Sequence, residues 1–126
     1  MPTFAGNGGK QIFYHGGSDP WFSALDTLGY YKEMAAANGG LEKVEGWSRF
    51  FYVPGMGHCG GGAAALDEFD MLGPIVDWVE KGIAPDQVVA SGRAFPRRTR
   101  PLCAYPKHAQ YKGSGDSEKA ENFECR

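Results

Sequence analysis

Apolar positions in this chain fall into two kinds of run. Residues 10–14 and 49–53 are short and nearly unbroken, Gln-Ile-Phe-Tyr in the first and Phe-Phe-Tyr-Val in the second. Continuous rather than alternating runs predict strands covered on both faces, as in a parallel sheet. Between them, Ala24, Leu28, Tyr31 and Ala35 recur at spacings of four, three and four. That is one helical face and predicts a helix over 23–37. Ser23 is a good N-cap, with Asp26 in the capping-box position. Asn38-Gly39-Gly40 supplies the stop. Phe69, Leu72, Val76 and Val79 mark the buried face of a second predicted helix. Pro74 removes a backbone donor and disfavours helical angles at Gly73. The helix therefore either begins about a turn before Pro74 or kinks there. Gly82 ends it, and Pro85 prevents it from resuming.

The remaining stretches read as connections. Residues 1–9 are expected to be a flexible lead-in and 39–48 a polar loop. Val88-Val89-Ala90 suits a short extended segment. From Ser91 onward irregular structure is expected, held by Phe95, Tyr105, Tyr111 and Phe123. The order strand, helix, strand, helix indicates an α/β layer with a parallel pair, within one domain spanning 1–126. Two strands alone make a poor sheet. The pair should be one end of a larger sheet, with an open edge that invites another chain.

Composition narrows the function classes. The 126 residues carry a net charge of −2, which gives no electrostatic reason to expect nucleic acid or an anionic membrane as partner. Arg97-Arg98 with Arg100 is a local basic cluster, read as a solvated loop rather than a phosphate site. No apolar run approaches the roughly 20 residues that span a bilayer. The first residues, Met1-Pro2-Thr3-Phe4-Ala5-Gly6-Asn7, have neither the charged nor the apolar region of a signal peptide. Of three cysteines, Cys103 and Cys125 lie in the tail. A bridge between them would close a loop of about 22 residues and stabilise the chain by roughly 3 kcal/mol. Cys59 is left over, which suggests a partner outside the chain; the plainer reading is a small residue in a tight loop.

The candidate chemistry sits where the two apolar runs end. The first leads into His15-Gly16-Gly17-Ser18-Asp19-Pro20, the second into Pro54-Gly55-Met56-Gly57-His58-Cys59-Gly60-Gly61-Gly62. Neighbouring parallel strands emit their loops on one edge, so Asp19 and His58 can meet across 39 residues of sequence. An aspartate that accepts from an imidazole fixes its tautomer and stabilises its protonated form. Each residue also has a plainer reading: His58 bonded to loop backbone, Asp19 as an Asp-Pro turn residue. Ser18 is rejected as a nucleophile, because its flanks do not form Gly-x-Ser-x-Gly. Neither Ser23, Ser48, Ser91, Ser114 nor Ser117 sits in such an elbow. His15 and His108 read as structural or exposed, although His15 ends a strand and could line the cleft. His15, Asp19 and His58 could in principle form a two-His-one-carboxylate set, but the glycine and cysteine context does not demand a metal. No cofactor is expected.

At these two stretches the chain resembles the tannase and feruloyl esterase family of α/β-hydrolase serine esterases. The resemblance rests on residues 14–20 and on the Gly-Met-Gly-His-Cys-Gly-Gly-Gly block at 55–62. It continues through Val76-Asp77-Trp78-Val79-Glu80-Lys81-Gly82, Ala84-Pro85, Arg100-Pro101-Leu102-Cys103, Tyr105-Pro106 and Asn122-Phe123-Glu124-Cys125. It implies a partial α/β-hydrolase fold from the C-terminal part of such an enzyme. Asp19 and His58 would then be the acid and base of a Ser-His-Asp triad. Trp21 and Phe22 either border an aryl-ester pocket or simply pack. The resemblance also implies that the nucleophilic serine, the oxyanion hole and the lid with its calcium site lie upstream of the matched region. Cys59 would pair with a cysteine beside that serine. The implied substrate is an ester of an aromatic acid, and the implied location is secreted or periplasmic. Alone, the chain is expected to be inactive, with a missing N-terminal half or a second copy as its partner. The alternative is a stand-alone, non-catalytic domain that binds or self-associates on a hydrolase scaffold.

Overall fold

A computed structural model describes residues 2–126. Its centre is a parallel pair, β1 (Gln11–Gly16) and β2 (Ser48–Val53), in register from Gln11 opposite Ser48 to Gly16 opposite Val53. The two apolar runs thus form the expected strands. β2 is buried on both faces: Phe51 and Val53 enter one core, Phe50 the other. β1 is only partly covered, contrary to the reading of its continuous run. Tyr14 is half exposed and rests edge-on against Phe69.

Helix α2 (Ala24–Ala37) matches the periodic face. Ser23 Oγ accepts from the Leu25 N–H at its start. At its end, the Gly40 N–H donates to the Ala35 carbonyl. Ala24, Tyr31, Met34 and Ala35 are buried. Tyr31, Met34 and Ala35 meet Val44, Trp47 and Phe50 in one core. The other core joins β2 to Met56, Ala65, Val88, Ala90, Leu102 and Ala104.

Three expectations are corrected. Pro2–Gly6 of the supposed lead-in forms a short helix, α1, whose Phe4 packs edge-on against Trp47. Leu41–Val44, inside the supposed polar loop, forms α3 because Val44 and Leu41 reach the same core. The tail is not irregular. β3 (Gln87–Ala90), which contains the extended segment expected at 88–90, pairs antiparallel with β4 (Arg100–Cys103), and β5 (Ala109–Tyr111) pairs with β6 (Phe123–Cys125). Strands of three or four residues are too short for a period to show in sequence. The Cys103–Cys125 disulfide joins β4 to β6, as expected from the tail cysteines. A bridge from Phe51 to Ala104 ties this region to β2.

Helix α4 (Leu72–Lys81) starts two residues before Pro74, so the proline falls in its first turn, where its missing N–H costs no helical bond. Its predicted buried face is the larger correction. Leu72, Val76 and Val79 are 72%, 40% and 63% exposed, and Phe69 precedes the helix. Trp78 is the residue α4 buries; Lys10 and Arg49 lie over its ring. Periodicity reveals an amphipathic helix; it does not reveal what covers the apolar side.

Candidate active site

The site begins where β1 and β2 end together. Their loops cross without a side chain between them. The Gly17 N–H donates to the Val53 carbonyl at 2.8 Å, and the Ser18 N–H to the Met56 carbonyl at 2.9 Å. A Cβ on Gly16 would collide with the Gly57 and Met56 carbonyls. Glycine is therefore required for close approach, not merely tolerated. After Pro54, Gly55 turns at φ +73°, where a β-carbon is strained, and this starts the loop that carries His58.

The crossing brings the two sequence-predicted site residues together. His58 Nδ1 lies 2.7 Å from Asp19 Oδ2. The aspartate is 1% exposed and the imidazole 37%. The other carboxylate oxygen, Oδ1, accepts from the Trp21 and Phe22 N–H groups at 2.8 and 3.1 Å. Burial by itself would raise the Asp19 pKa. The His58 hydrogen bond, the two backbone donors and the His58 charge outweigh it, holding the carboxyl well below the usual range. Asp19 is thus an anion across ordinary pH. Its bond to Nδ1 leaves Nε2 as the His58 nitrogen free for proton exchange.

Trp21 and Phe22, both largely exposed, place their ring centroids 5.0 and 5.5 Å from the His58 ring. Phe22 also lines an open groove with Phe13, His15, Thr27 and Tyr30. Cys59 is exposed and carries a free thiol.

His15 is not a bystander. Its Nε2 lies 3.1 Å from Asp19 Oδ2, and its Nδ1 lies 2.8 Å from Thr27 Oγ1. Reading His15 as structural or exposed missed that contact. The available signal was its spacing of four residues from Asp19 at the mouth of one strand. Both imidazoles address the carboxylate directly, and among the described residues no cluster has metal-binding geometry. His108 takes no part; its backbone pairs with Arg126. In the basic cluster, Arg98 makes a bidentate pair with Glu118 at 2.8 and 2.9 Å. Arg98 and Arg100 lie over the Phe95 and Phe123 rings. These partners engage Arg98 and cover Arg100, while Arg97 is exposed.

A buried carboxylate that orients a half-exposed imidazole at the end of a parallel pair is an arrangement suited to hydrolysis through an acid–base relay. The comparisons agree with that class. The chain belongs to the tannase and feruloyl esterase family, whose model matches residues 1–126. It is 52% identical over 130 residues to the mono(2-hydroxyethyl) terephthalate hydrolase of Piscinibacter sakaiensis, covering 99% of this chain and 21% of that protein. It is 32% identical over 142 residues to feruloyl esterase B of Aspergillus niger, covering 99% and 27%. The crystal structure of feruloyl esterase B from Aspergillus oryzae superposes with a TM-score of 0.80 at 31% identity, over 98% of this chain and 28% of that one. The chain thus spans about a quarter of these relatives' length, and its fold is that of the matching part of a tannase and feruloyl esterase structure.

Proposed function

We propose that this chain is the C-terminal portion of an α/β-hydrolase that cleaves esters of aromatic carboxylic acids through a serine acyl-enzyme. The observation that carries the reading is the 2.7 Å contact between His58 Nδ1 and the buried Asp19 carboxylate. His58 Nε2 takes the proton of the serine hydroxyl as the serine attacks the ester carbonyl. It then returns that proton to the departing alcohol, and Asp19 stabilises the imidazolium in between. Water, activated by the same nitrogen, releases the acid. The exposed rings of Trp21 and Phe22 beside His58 suit an aromatic acyl group. Both named relatives act on such esters by their names, one on a terephthalate monoester and one on feruloyl esters.

No Gly-x-Ser-x-Gly elbow occurs in these residues. In this reading the nucleophile and the oxyanion hole come from a segment outside them, and the exposed thiol of Cys59 bridges to that segment. The exposed stripe of Leu72, Val76 and Val79 supports a covering partner. That partner is the preceding part of the enzyme or, in the alternative of a self-associating domain, a second copy. By the same reading the enzyme is secreted or periplasmic; among the described residues no helix is long and apolar enough to cross a membrane. It needs no cofactor for the relay.

The test is hydrolysis of methyl ferulate and of mono(2-hydroxyethyl) terephthalate. The purified chain alone should be inert. The chain joined to the segment encoded immediately upstream should be active, and His58→Ala should abolish that activity. Turnover by the isolated chain, lost in His58→Ala, would overturn the assignment of the nucleophile.

A further inference from the structure

The Asp19 carboxylate receives two imidazoles on one oxygen. His58 Nδ1 is 2.7 Å from Oδ2, and His15 Nε2 is 3.1 Å from the same atom. His15 Nε2 also lies 3.2 Å from the Phe22 carbonyl oxygen. A carboxylate and a carbonyl only accept, so a bare Nε2 would face lone pairs from both. The proton of a neutral His15 must therefore sit on Nε2. Its Nδ1 is then an acceptor, and the Thr27 hydroxyl at 2.8 Å is the donor it meets. The chain of donors runs Thr27 to His15 to Asp19, and it spans α2, β1 and the loop after β1. His15 is 14% exposed, against 37% for His58.

We propose that His15, anchored at Nδ1 by the Thr27 hydroxyl, is a positioning residue that holds the Asp19 carboxylate in the orientation His58 requires. His58 stands in a glycine-rich loop and is the more exposed of the two partners. Oδ1 is fixed by backbone N–H groups from the next turn, and Oδ2 needs a second fixed donor if the plane of the carboxylate is not to follow His58. His15 supplies it from the rigid parallel pair. This function for His15 rests on the reading of Asp19 and His58 as a relay. Its test does not use ester hydrolysis, so each idea fails on its own measurement.

The experiment is ring-nitrogen NMR of the chain labelled with ¹⁵N at histidine. His15 should show a proton bonded to Nε2 and a bare, hydrogen-bonded Nδ1. His58 should show a downfield, slowly exchanging Nδ1 proton. In Thr27→Val the His15 proton should stay on Nε2 while Nδ1 loses its hydrogen-bond shift, and the His58 proton signal should broaden or move upfield as the His15 ring loses its second anchor. Thr27→Ser, which keeps the hydroxyl, should restore both. His15→Gln keeps an N–H near Asp19 and should preserve the His58 signal, whereas His15→Leu should lose it. Far-UV circular dichroism reports whether each variant is folded. Should His15→Leu unfold, Thr27→Val and Thr27→Ser carry the comparison, since neither removes the ring. A His15 ring protonated on Nδ1 alone, or a His58 signal unchanged in folded Thr27→Val, would overturn the proposal.

Discussion

Gly16→Ala tests why the two loops meet. The new β-carbon would be driven into the Gly57 and Met56 carbonyls, which are backbone atoms and cannot rotate away. The loop carrying His58 must retreat by about 1 Å to reach van der Waals contact. That shift would stretch the 2.7 Å His58–Asp19 bond to about 3.7 Å, beyond hydrogen-bond range. Overpacking a closed site costs about 1–3 kcal/mol. Separating the loops also breaks the Gly17–Val53 and Ser18–Met56 backbone bonds, at about 1 kcal/mol each. The total is about 3–5 kcal/mol. At roughly 4 °C per kcal/mol for a chain of this size, Tm should fall by about 12–20 °C. Urea and thermal denaturation measure the loss, and the His58 Nδ1 proton signal reports the contact. A destabilisation under about 0.5 kcal/mol with that signal intact would refute the close-approach argument.

Three further outcomes follow from the same geometry. Asp19 has a depressed pKa, so its stabilising contribution is complete above the ordinary carboxylate value of about 3.9 and is lost as pH falls below it. Asp19→Asn should therefore be less stable than the native chain at pH 7, with a gap that narrows below pH 4; urea midpoints giving a constant gap down to pH 3 would contradict this. On α4, Trp78→Ala should cost about 3–5 kcal/mol. Val79→Glu should cost under about 0.5 kcal/mol and reduce self-association in sedimentation; the reverse order would mean the helix faces the other way. Replacing Cys103 and Cys125 by serine opens a 22-residue loop and should lower stability by about 3 kcal/mol, read from denaturant midpoints with and without reductant.

The centre of the fold was legible because its strands and helix are long enough to carry a pattern. Phe50, Phe51 and Val53 announce a strand buried on two sides. Ala24, Tyr31 and Ala35 announce the α2 face. The glycines at 16 and 55 mark where backbone must meet backbone, and the close approach at Gly16 is what carries Asp19 to His58. Where the pattern was too short, as in β4 to β6, nothing in the residues separated strand from loop. Leu72, Val76 and Val79 show a different limit. Their spacing identifies an apolar stripe, but whether it is buried depends on what packs against it. The contact of His15 with Asp19 was not read because a single histidine at a strand end has no periodic signature; its ring is set by Asp19 on one side and by Thr27, twelve residues away, on the other.

The central claim is that Asp19 and His58 act as one unit in ester hydrolysis. The most direct measurement is a double-mutant cycle on kcat for methyl ferulate, with the chain joined to the segment that supplies the serine. Residues that act as a unit are not additive in their effects. His58→Ala should remove nearly all catalysis, and adding Asp19→Ala to it should cost almost nothing more. Losses that multiply across the two sites would mean that each works alone, and the relay would have to be abandoned.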